Sequence, residues 1–269
     1  MTVVALGSAK GSPGVTTTAL ALALVWPRPV IVAECDPGGG DVAAGYLAGS
    51  PIPDEGLLGL ALALRRGPVP AGQVTRWCTR LDATGSRLLL AAPSDVASLR
   101  PVTEVTDRLA VLFASMQHTD AGWDVLVDCG RLDPTATNTA FARADRSLLM
   151  VRPSVRAAHV TETRLGAVAA ANRLGVLMVG DAPYGRRAVE RAVGLPVLGV
   201  IGHDPMAAAV LGGEQPAGRG FARSLLLRSA VTVVDVLTAD RTPVDVTRRD
   251  ASPEPGDEVG LAATPGWST

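Results

Sequence analysis

The sequence reads Lys10-Gly11-Ser12-Pro13-Gly14-Val15-Thr16-Thr17 directly after an apolar run and directly before a run of helical spacing. A glycine-rich turn between a first strand and a first helix is where α/β proteins bind phosphate. Backbone N–H groups point into such a turn, and the helix N-terminus adds a partial positive charge. The pattern therefore predicts a phosphate-binding loop, whose ligand-contacting residues we expect to be Gly11, Ser12, Gly14, Val15, Thr16 and Thr17.

The two threonines of this loop carry hydroxyl groups at the predicted helix start. Such hydroxyls ligate Mg²⁺ or contact a phosphate oxygen. Lys10 is the single lysine of the chain, whereas every other residue among the 25 lysines and arginines is arginine. This bias favours a specific task for the ammonium group in the loop.

Short apolar runs rich in Val, Leu and Ile alternate with longer segments of helical spacing. Nearly continuous apolar strands are typical of a sheet covered on both faces, and the alternation implies right-handed crossovers. We therefore predict an α/β fold with a doubly wound, mostly parallel sheet of about seven strands and helices on both faces. The predicted strands lie near 2–6, 29–34, 87–91, 124–128, 146–151, 175–179 and 197–201.

Helices are predicted over 15–25, 57–64, 95–116, 155–174, 185–192 and 221–238. The segment 49–82 is broken by prolines and is predicted to leave the sheet without forming a domain of its own. From Asp240 the chain becomes polar and rich in Pro, Gly and acidic residues. We expect one nucleotide-binding domain over 1–239 and a disordered tail over 240–269.

Composition narrows the class of protein. Hydrophobic residues make up 47% of the 269, which allows a sizeable core, and the net charge of −1 gives no general attraction to DNA or to anionic membranes. Cys35, Cys78 and Cys129 lack metal-binding spacing, so we expect buried, reduced thiols. No apolar run approaches the about 20 residues of a membrane-spanning helix. These features predict a soluble, cytoplasmic protein without a membrane anchor.

The loop resembles the deviant Walker A motif of the ParA/MinD family, which reads K-G-G-x-G-K-T-T. Lys10 matches the first, family-defining lysine, and the glycines and threonines match in register. Ser12 replaces a glycine, and Val15 replaces the second lysine. The resemblance implies binding of ATP or ADP with Mg²⁺ and places Lys10 on the phosphates of the neighbouring subunit in a nucleotide-dependent homodimer.

The resemblance extends to two acidic segments. Glu34-Cys35-Asp36-Pro37 is similar to the D-x-D-P switch segment of the family, with Glu34 in place of the first aspartate. Asp36 would orient the attacking water and touch the Mg²⁺ shell. Asp128, at the end of a predicted strand, would be the Walker B carboxylate. The implied catalytic residues are thus Lys10 and Asp36, and the implied metal ligands are Thr16, Asp36 and Asp128.

Further along, 195–204 resembles the family segment near the adenine pocket. The asparagine that often follows the sixth strand in this family is replaced by Val179-Gly180-Asp181, so the pattern predicts phosphate binding more strongly than adenine selectivity.

Other interpretations compete with this one. A short-chain dehydrogenase is excluded because Pro13 replaces its last loop glycine and the chain has no Tyr-x-x-x-Lys pair. Arg156, Arg186 and Arg187 fit either solvated helix faces or a patch that contacts non-specific DNA. Two functions stay open: a slow ATPase switch in positioning, partition or secretion-apparatus localisation, and a non-hydrolysing pseudo-ATPase that acts as a scaffold or regulatory module.

Overall fold

The computed structural model describes residues 3–9, 13–48, 51–132, 139–164, 171, 173–180 and 182–239. Its strands form one sheet of eight, in the order β3-β4-β2-β5-β1-β6-β7-β8. All neighbouring strands are parallel except β3 and β4. The strands are β1 (Val3–Ser8), β2 (Val30–Glu34), β3 (Thr79–Arg80), β4 (Arg87–Leu90), β5 (Asp124–Arg131), β6 (Arg146–Val151), β7 (Leu174–Val179) and β8 (Val197–Ile201).

Helices cover both faces of the sheet. The α-helices are α1 (Val15–Val25), α2 (Gly56–Arg66), α3 (Arg100–Thr103), α4 (Thr106–Ser115), α5 (Thr139–Arg143), α6 (Val155–Arg164), α7 (Arg186–Val193), α8 (Pro205–Leu211) and α9 (Leu225–Ala239). One core joins α1, α8 and α9 to one face, and the other face is covered by α2 to α7. Because helices pack on both faces of the sheet, no residue of β1, β2 or β6 is exposed. The predicted doubly wound fold is confirmed.

All seven predicted strands are present, and the eighth strand is a short antiparallel edge. Residues Thr79–Arg80 pair with β4 over two positions, Thr79 with Leu89 and Arg80 with Leu88. Two residues are too few to show the alternation by which strands are recognised in a sequence.

Two helix predictions were wrong in their bounds. The single helix predicted over 95–116 is broken: α3 ends at Thr103 and α4 begins at Thr106. Val105 lies between them with φ −119° and ψ 14°, a non-helical conformation in which its side chain is buried. The helix predicted over 155–174 also extended too far, because Leu174 is the first residue of β7.

The remaining differences are small. The prediction that 49–82 leaves the sheet was wrong at its end, because Thr79–Arg80 joins the sheet as β3. The preceding α2 and the 3-10 segment Ala71–Trp77 pack on the same face of the sheet as α4 and α5. The helices α5 and α8 were not predicted. The tail predicted over 240–269 lies outside the described residues.

Within the described part of the chain, no helix is both long and apolar enough to cross a membrane.

Candidate functional site

The turn between β1 and α1 begins the site. Gly14 precedes the helix with φ 86° and ψ 49°, the left-handed region that glycine adopts without strain. Because Gly14 has no side chain, the N–H groups of the first helical turn have no cap from this position. The turn thus presents uncapped donors and the positive end of the helix dipole, which suit a phosphate. Lys10, Gly11 and Ser12 lie outside the described residues.

Thr16, in the first turn of α1, contacts the predicted Walker B residue. Its hydroxyl donates a hydrogen bond to the carboxylate of Asp128. Asp128 lies on β5 with 1% of its surface exposed, and its Oδ1 accepts the Gly130 N–H at 2.9 Å. Burial raises the pKa of Asp128 to about 6, and the charges of Asp36 and Asp41 act in the same direction.

Asp36 lies just beyond the end of β2 and faces the end of β5. Its Oδ1 accepts the N–H of Gly38 at 2.7 Å, and its carboxylate also accepts the N–H of Arg131. A Cβ on Gly130 would lie 1.7 Å from Asp36 Oδ2, so this approach requires glycine at position 130. Burial raises the pKa of Asp36 above its ordinary value. The two aspartates therefore lie at the same edge of the sheet, where open α/β sheets bind ligands.

Glu34 holds the segment that carries Asp36. As the last residue of β2, it pairs in register with Asp128 and is 2% exposed. Its Oε1 accepts the N–H groups of Asp41 and Val42 at 3.1 and 3.2 Å, and its Oε2 accepts that of Ala92 at 3.1 Å. This carboxylate thus ties the far end of the 35–42 loop to β2 and to the segment that follows β4.

The environment of Glu34 has two consequences. Burial raises its pKa to about 7, although the three backbone donors oppose that shift. A Cβ on Gly40 would lie 2.5 Å from Glu34 Oε2, so the long glutamate leaves room only for glycine at position 40.

Val15 faces the core at the start of α1. It is 6% exposed and packs in the cluster beneath α1, whereas Thr16 and Thr17 are partly exposed. The position that carries lysine in other phosphate loops therefore contributes no charge here.

The donor set at this edge fits a magnesium ion bound to phosphates. Mg²⁺ takes oxygen ligands. The hydroxyl of Thr16 adjoins the carboxylate of Asp128, and Asp36 is near enough for its charge to raise the pKa of Asp128. A nearby cation would offset this crowding of negative charge. In the described residues no group of three or more His, Cys, Asp or Glu side chains forms a metal cage, so phosphate oxygens and water would complete the shell.

No protein-family model and no curated protein matches this chain. Solved structures do match its fold. A ParA family ATPase from Chlorobium tepidum is 16% identical over 87% of this chain and 98% of its own, with a TM-score of 0.67. MinD from Pyrococcus horikoshii, complexed with Mg-ADP, is 14% identical over 88% of this chain and 95% of its own, with a TM-score of 0.65. The fold is that of the ParA/MinD ATPases.

A third structure with this fold, a Cyanothece McdA variant in complex with ATP, is 16% identical. It covers 91% of this chain and 99% of its own, with a TM-score of 0.63. The MinD structure contains Mg-ADP, and the McdA structure contains ATP.

The structure brings together Gly14, Val15, Thr16, Asp36 and Asp128 among the residues predicted from the sequence. Thr17 also lies in the first turn of α1 and is close to Gly14. A Cβ added to Gly14 would lie 3.9 Å from the Oγ1 atom of Thr17. None of the three cysteines forms a disulfide; Cys78 and Cys129 are buried, as predicted, whereas Cys35 is partly exposed. Burial raises the pKa of both Cys35 and Cys78 to about 12, which disfavours the thiolate form of each.

Sequence reasoning missed two residues at this edge. Gly130 is needed for the approach of Asp36, and a glycine two positions after the strand aspartate is the only signal for it. Arg164, the last residue of α6, donates a hydrogen bond from Nη1 to the carbonyl of Ala9, directly before the glycine-rich loop. Because more than 150 residues separate Arg164 from Ala9 in the sequence, no local pattern indicates this contact.

Proposed function

We propose that this chain is a ParA/MinD-like protein that binds ATP and ADP with Mg²⁺ at the N-terminus of α1. The observation that carries the proposal is the hydrogen bond from Thr16 to Asp128, with Asp36 at the same edge of the sheet. A hydroxyl and two carboxylates at the start of a helix are the protein groups that a nucleotide-bound Mg²⁺ requires. The ParA/MinD fold and the Mg-ADP and ATP bound in solved structures of this fold support the proposal.

In this proposal Thr16, Asp36 and Asp128 would hold the Mg²⁺, and Asp36 would also orient the attacking water. Gly11, Ser12, Gly14 and Thr17 cradle the phosphates through N–H and hydroxyl groups. Mg²⁺, when bound, neutralises charge on the phosphates. Lys10 of each subunit reaches the nucleotide of the other in a homodimer that forms with ATP.

The biological role we propose is a slow, ATP-dependent dimerisation switch. Such a switch would position or partition a cargo or localise a secretion apparatus. Solved structures with this fold include a cell division protein from Aquifex aeolicus and a putative plasmid partition protein from Borrelia burgdorferi, which supports a role of that kind. Non-specific DNA stays a candidate partner through Arg156, Arg186 and Arg187. Arg186 also forms an ion pair with Glu190 at 3.2 Å.

A pseudo-ATPase is the second candidate function, and the buried Val15 favours it. Placement of positive charge accounts for most of the catalysis of phosphoryl transfer. At 6% exposure, Val15 fills core space and provides no charge, so the site retains its phosphate cradle and loses part of its catalytic power.

Single-turnover hydrolysis of Mg-ATP separates the two candidates. We expect the wild-type chain to release phosphate slowly and Asp36→Ala to release less, because Asp36 orients the water. A wild-type rate no greater than that of Asp36→Ala would exclude the switch that hydrolyses ATP and leave the scaffold.

A further inference from the structure

A groove between α6 and α7 contains none of the residues expected at the nucleotide site. It has a volume of about 490 Å³, and Ala158 and Val189, which are 6% and 2% exposed, form its floor. Val155 of α6 and Tyr184, in the turn before α7, line its sides and are 66% and 43% exposed. Large apolar side chains that stay exposed around a concave surface mark contact sites for other molecules.

The groove is open because the residues that line it from both helices are small. Ala158 of α6 and Ala188 and Ala192 of α7 have methyl groups that are too short to fill the space between the helices. Both helices pack on the sheet face opposite α1. Every residue that lines the groove belongs to the described ranges 139–164 and 182–239.

Positive charge surrounds the groove. The two helices carry five arginines and two glutamates, in a chain whose net charge is −1. Arg191 lines the groove, and Arg156 is exposed next to Val155. Neither arginine forms an ion pair with another described residue. An acidic ligand is therefore attracted to this rim.

The carboxylates of the two helices do not cancel this charge. Glu190 forms an ion pair with Arg186 at 3.2 Å. Glu162 lines the groove, and its Oε2 lies 4.0 Å from Nδ1 of His159. The two unpaired arginines thus remain available to the acidic groups of a partner.

DNA does not suit the groove as a whole. Its phosphates would contact the arginines and leave the side chains of Val155 and Tyr184 uncovered, because contacts to the DNA backbone are polar. A protein segment can present apolar side chains to the floor and carboxylates to the rim at the same time. Tyrosine and arginine are also enriched among the residues that contribute most to binding between proteins.

We propose that the groove between α6 and α7 binds a short segment of a partner protein in which apolar side chains lie beside acidic ones. The apolar side chains contact Val155, Val189 and Tyr184, and the acidic ones pair with Arg156 and Arg191. The proposal goes beyond the nucleotide-binding function and does not require a bound nucleotide.

The test is a selection from a library of random short peptides on the immobilised full chain, followed by sequencing of the bound pool. We expect enrichment, relative to the starting library, of peptides that contain both acidic and apolar residues. The most enriched peptide is then synthesised with a fluorescent label, and its dissociation constant is measured by fluorescence anisotropy. A short DNA duplex of random sequence, with the same label, is titrated in parallel.

Variants at exposed positions separate the apolar contribution from the charged one. Val155→Ser, Tyr184→Ala and Arg191→Gln should each weaken binding of the peptide about tenfold, a loss typical of contact residues at the centre of an interface. Val231→Ser and Arg228→Gln are the matched controls, because they remove the same side chains from exposed positions of α9. Both controls should bind the peptide as the wild type does.

The outcomes are distinct. A selection that enriches no acidic and apolar peptides refutes the proposal. Equal affinity in Val155→Ser and Val231→Ser, or in Arg191→Gln and Arg228→Gln, also refutes it. Binding of the DNA duplex that is weakened only by Arg191→Gln, without peptide enrichment, would make this face a DNA surface instead.

Two further measurements keep the test independent of the nucleotide site. Melting temperatures show whether each variant is folded, which we expect because the changed side chains are exposed. Affinity for Mg-ADP should be the same in all variants as in the wild type. Refutation of the groove therefore leaves the proposed nucleotide site standing, and failure of nucleotide binding leaves the groove to be judged by the peptides alone.

Discussion

At the scale of single residues, Asp128 shows a conflict between stability and ligand binding. Without a cation its folded-state pKa is about 6, whereas its ordinary value is 3.8. Between pH 3.8 and about pH 6, the Asp128 carboxyl is therefore mostly protonated in the folded chain and mostly ionised in the unfolded chain. Stability consequently falls as pH rises through this window, and the full loss remains at higher pH. The pKa of Glu34 is likewise raised by folding, from 4.5 to about 7, so ionisation of Glu34 also lowers stability as pH rises.

We expect Asp128→Asn to stabilise the protein in the absence of nucleotide near neutral pH. The difference between the two pKa values corresponds to a change of about 3 kcal/mol in the free energy of unfolding, or roughly 6–12 °C in melting temperature for a chain of this size. Thermal unfolding measures the effect, with Asp120→Asn as the control because Asp120 is exposed. Mg-nucleotide should then raise the melting temperature of the wild type and not that of Asp128→Asn. A variant that melts below the wild type without nucleotide would refute the argument.

A second prediction concerns Val15. Val15→Lys should bind Mg-ATP about tenfold more tightly than Val15→Met, because a lysine stem extends from a buried position while its ammonium group reaches a phosphate. Methionine is the matched control for length without charge. Calorimetric titration compares the two variants, and equal affinities would show that no phosphate lies within reach of position 15.

At the scale of elements, the 35–42 loop is held by one side chain. Glu34 joins the loop to the end of β4, and Gly40 leaves the space that its carboxylate needs. The loop that carries Asp36 is therefore held by a buried carboxylate that lies beside Asp128 in the sheet.

We expect Gly40→Ala to displace the Glu34 carboxylate and to speed amide exchange at Asp41, Val42 and Ala92. Glu34→Asp shortens the side chain, so the double variant should recover part of the protection that Gly40→Ala loses. Gly72→Ala is the control, since a Cβ there meets no atom within 4 Å. Hydrogen exchange measures these amides directly. Equal protection in Gly40→Ala and Gly72→Ala would show that Glu34 does not hold the loop.

The sequence predicted the central strands because their apolar runs are continuous and short. It did not predict the break at Val105, because the buried residues on either side of the break keep helical spacing. At the site, Asp36 and Asp128 could be predicted because each lies at or just beyond the end of a short apolar run of the sequence that is typical of a strand. Gly130 and Arg164 could not, since their importance depends on contacts between distant segments.

At the scale of the whole molecule, the proposed switch requires two copies of the chain. We expect ATP with Mg²⁺ to shift the sedimentation coefficient from that of one chain to that of two, whereas ADP should not. Lys10→Ala should remove this shift and retain nucleotide binding, because the resemblance places Lys10 on the neighbouring subunit's phosphates. Identical sedimentation with ATP and ADP would refute the switch and leave the binding site itself untouched.

The central claim is that a nucleotide with Mg²⁺ binds at the N-terminus of α1, and calorimetric titration with Mg-ADP and Mg-ATP tests it most directly. We predict saturable heat with one nucleotide per chain for the wild type. We also predict weaker binding for Thr16→Val, which cannot contact Mg²⁺ or donate to Asp128. The absence of heat with both nucleotides, in a wild-type protein shown to be folded, would contradict the claim.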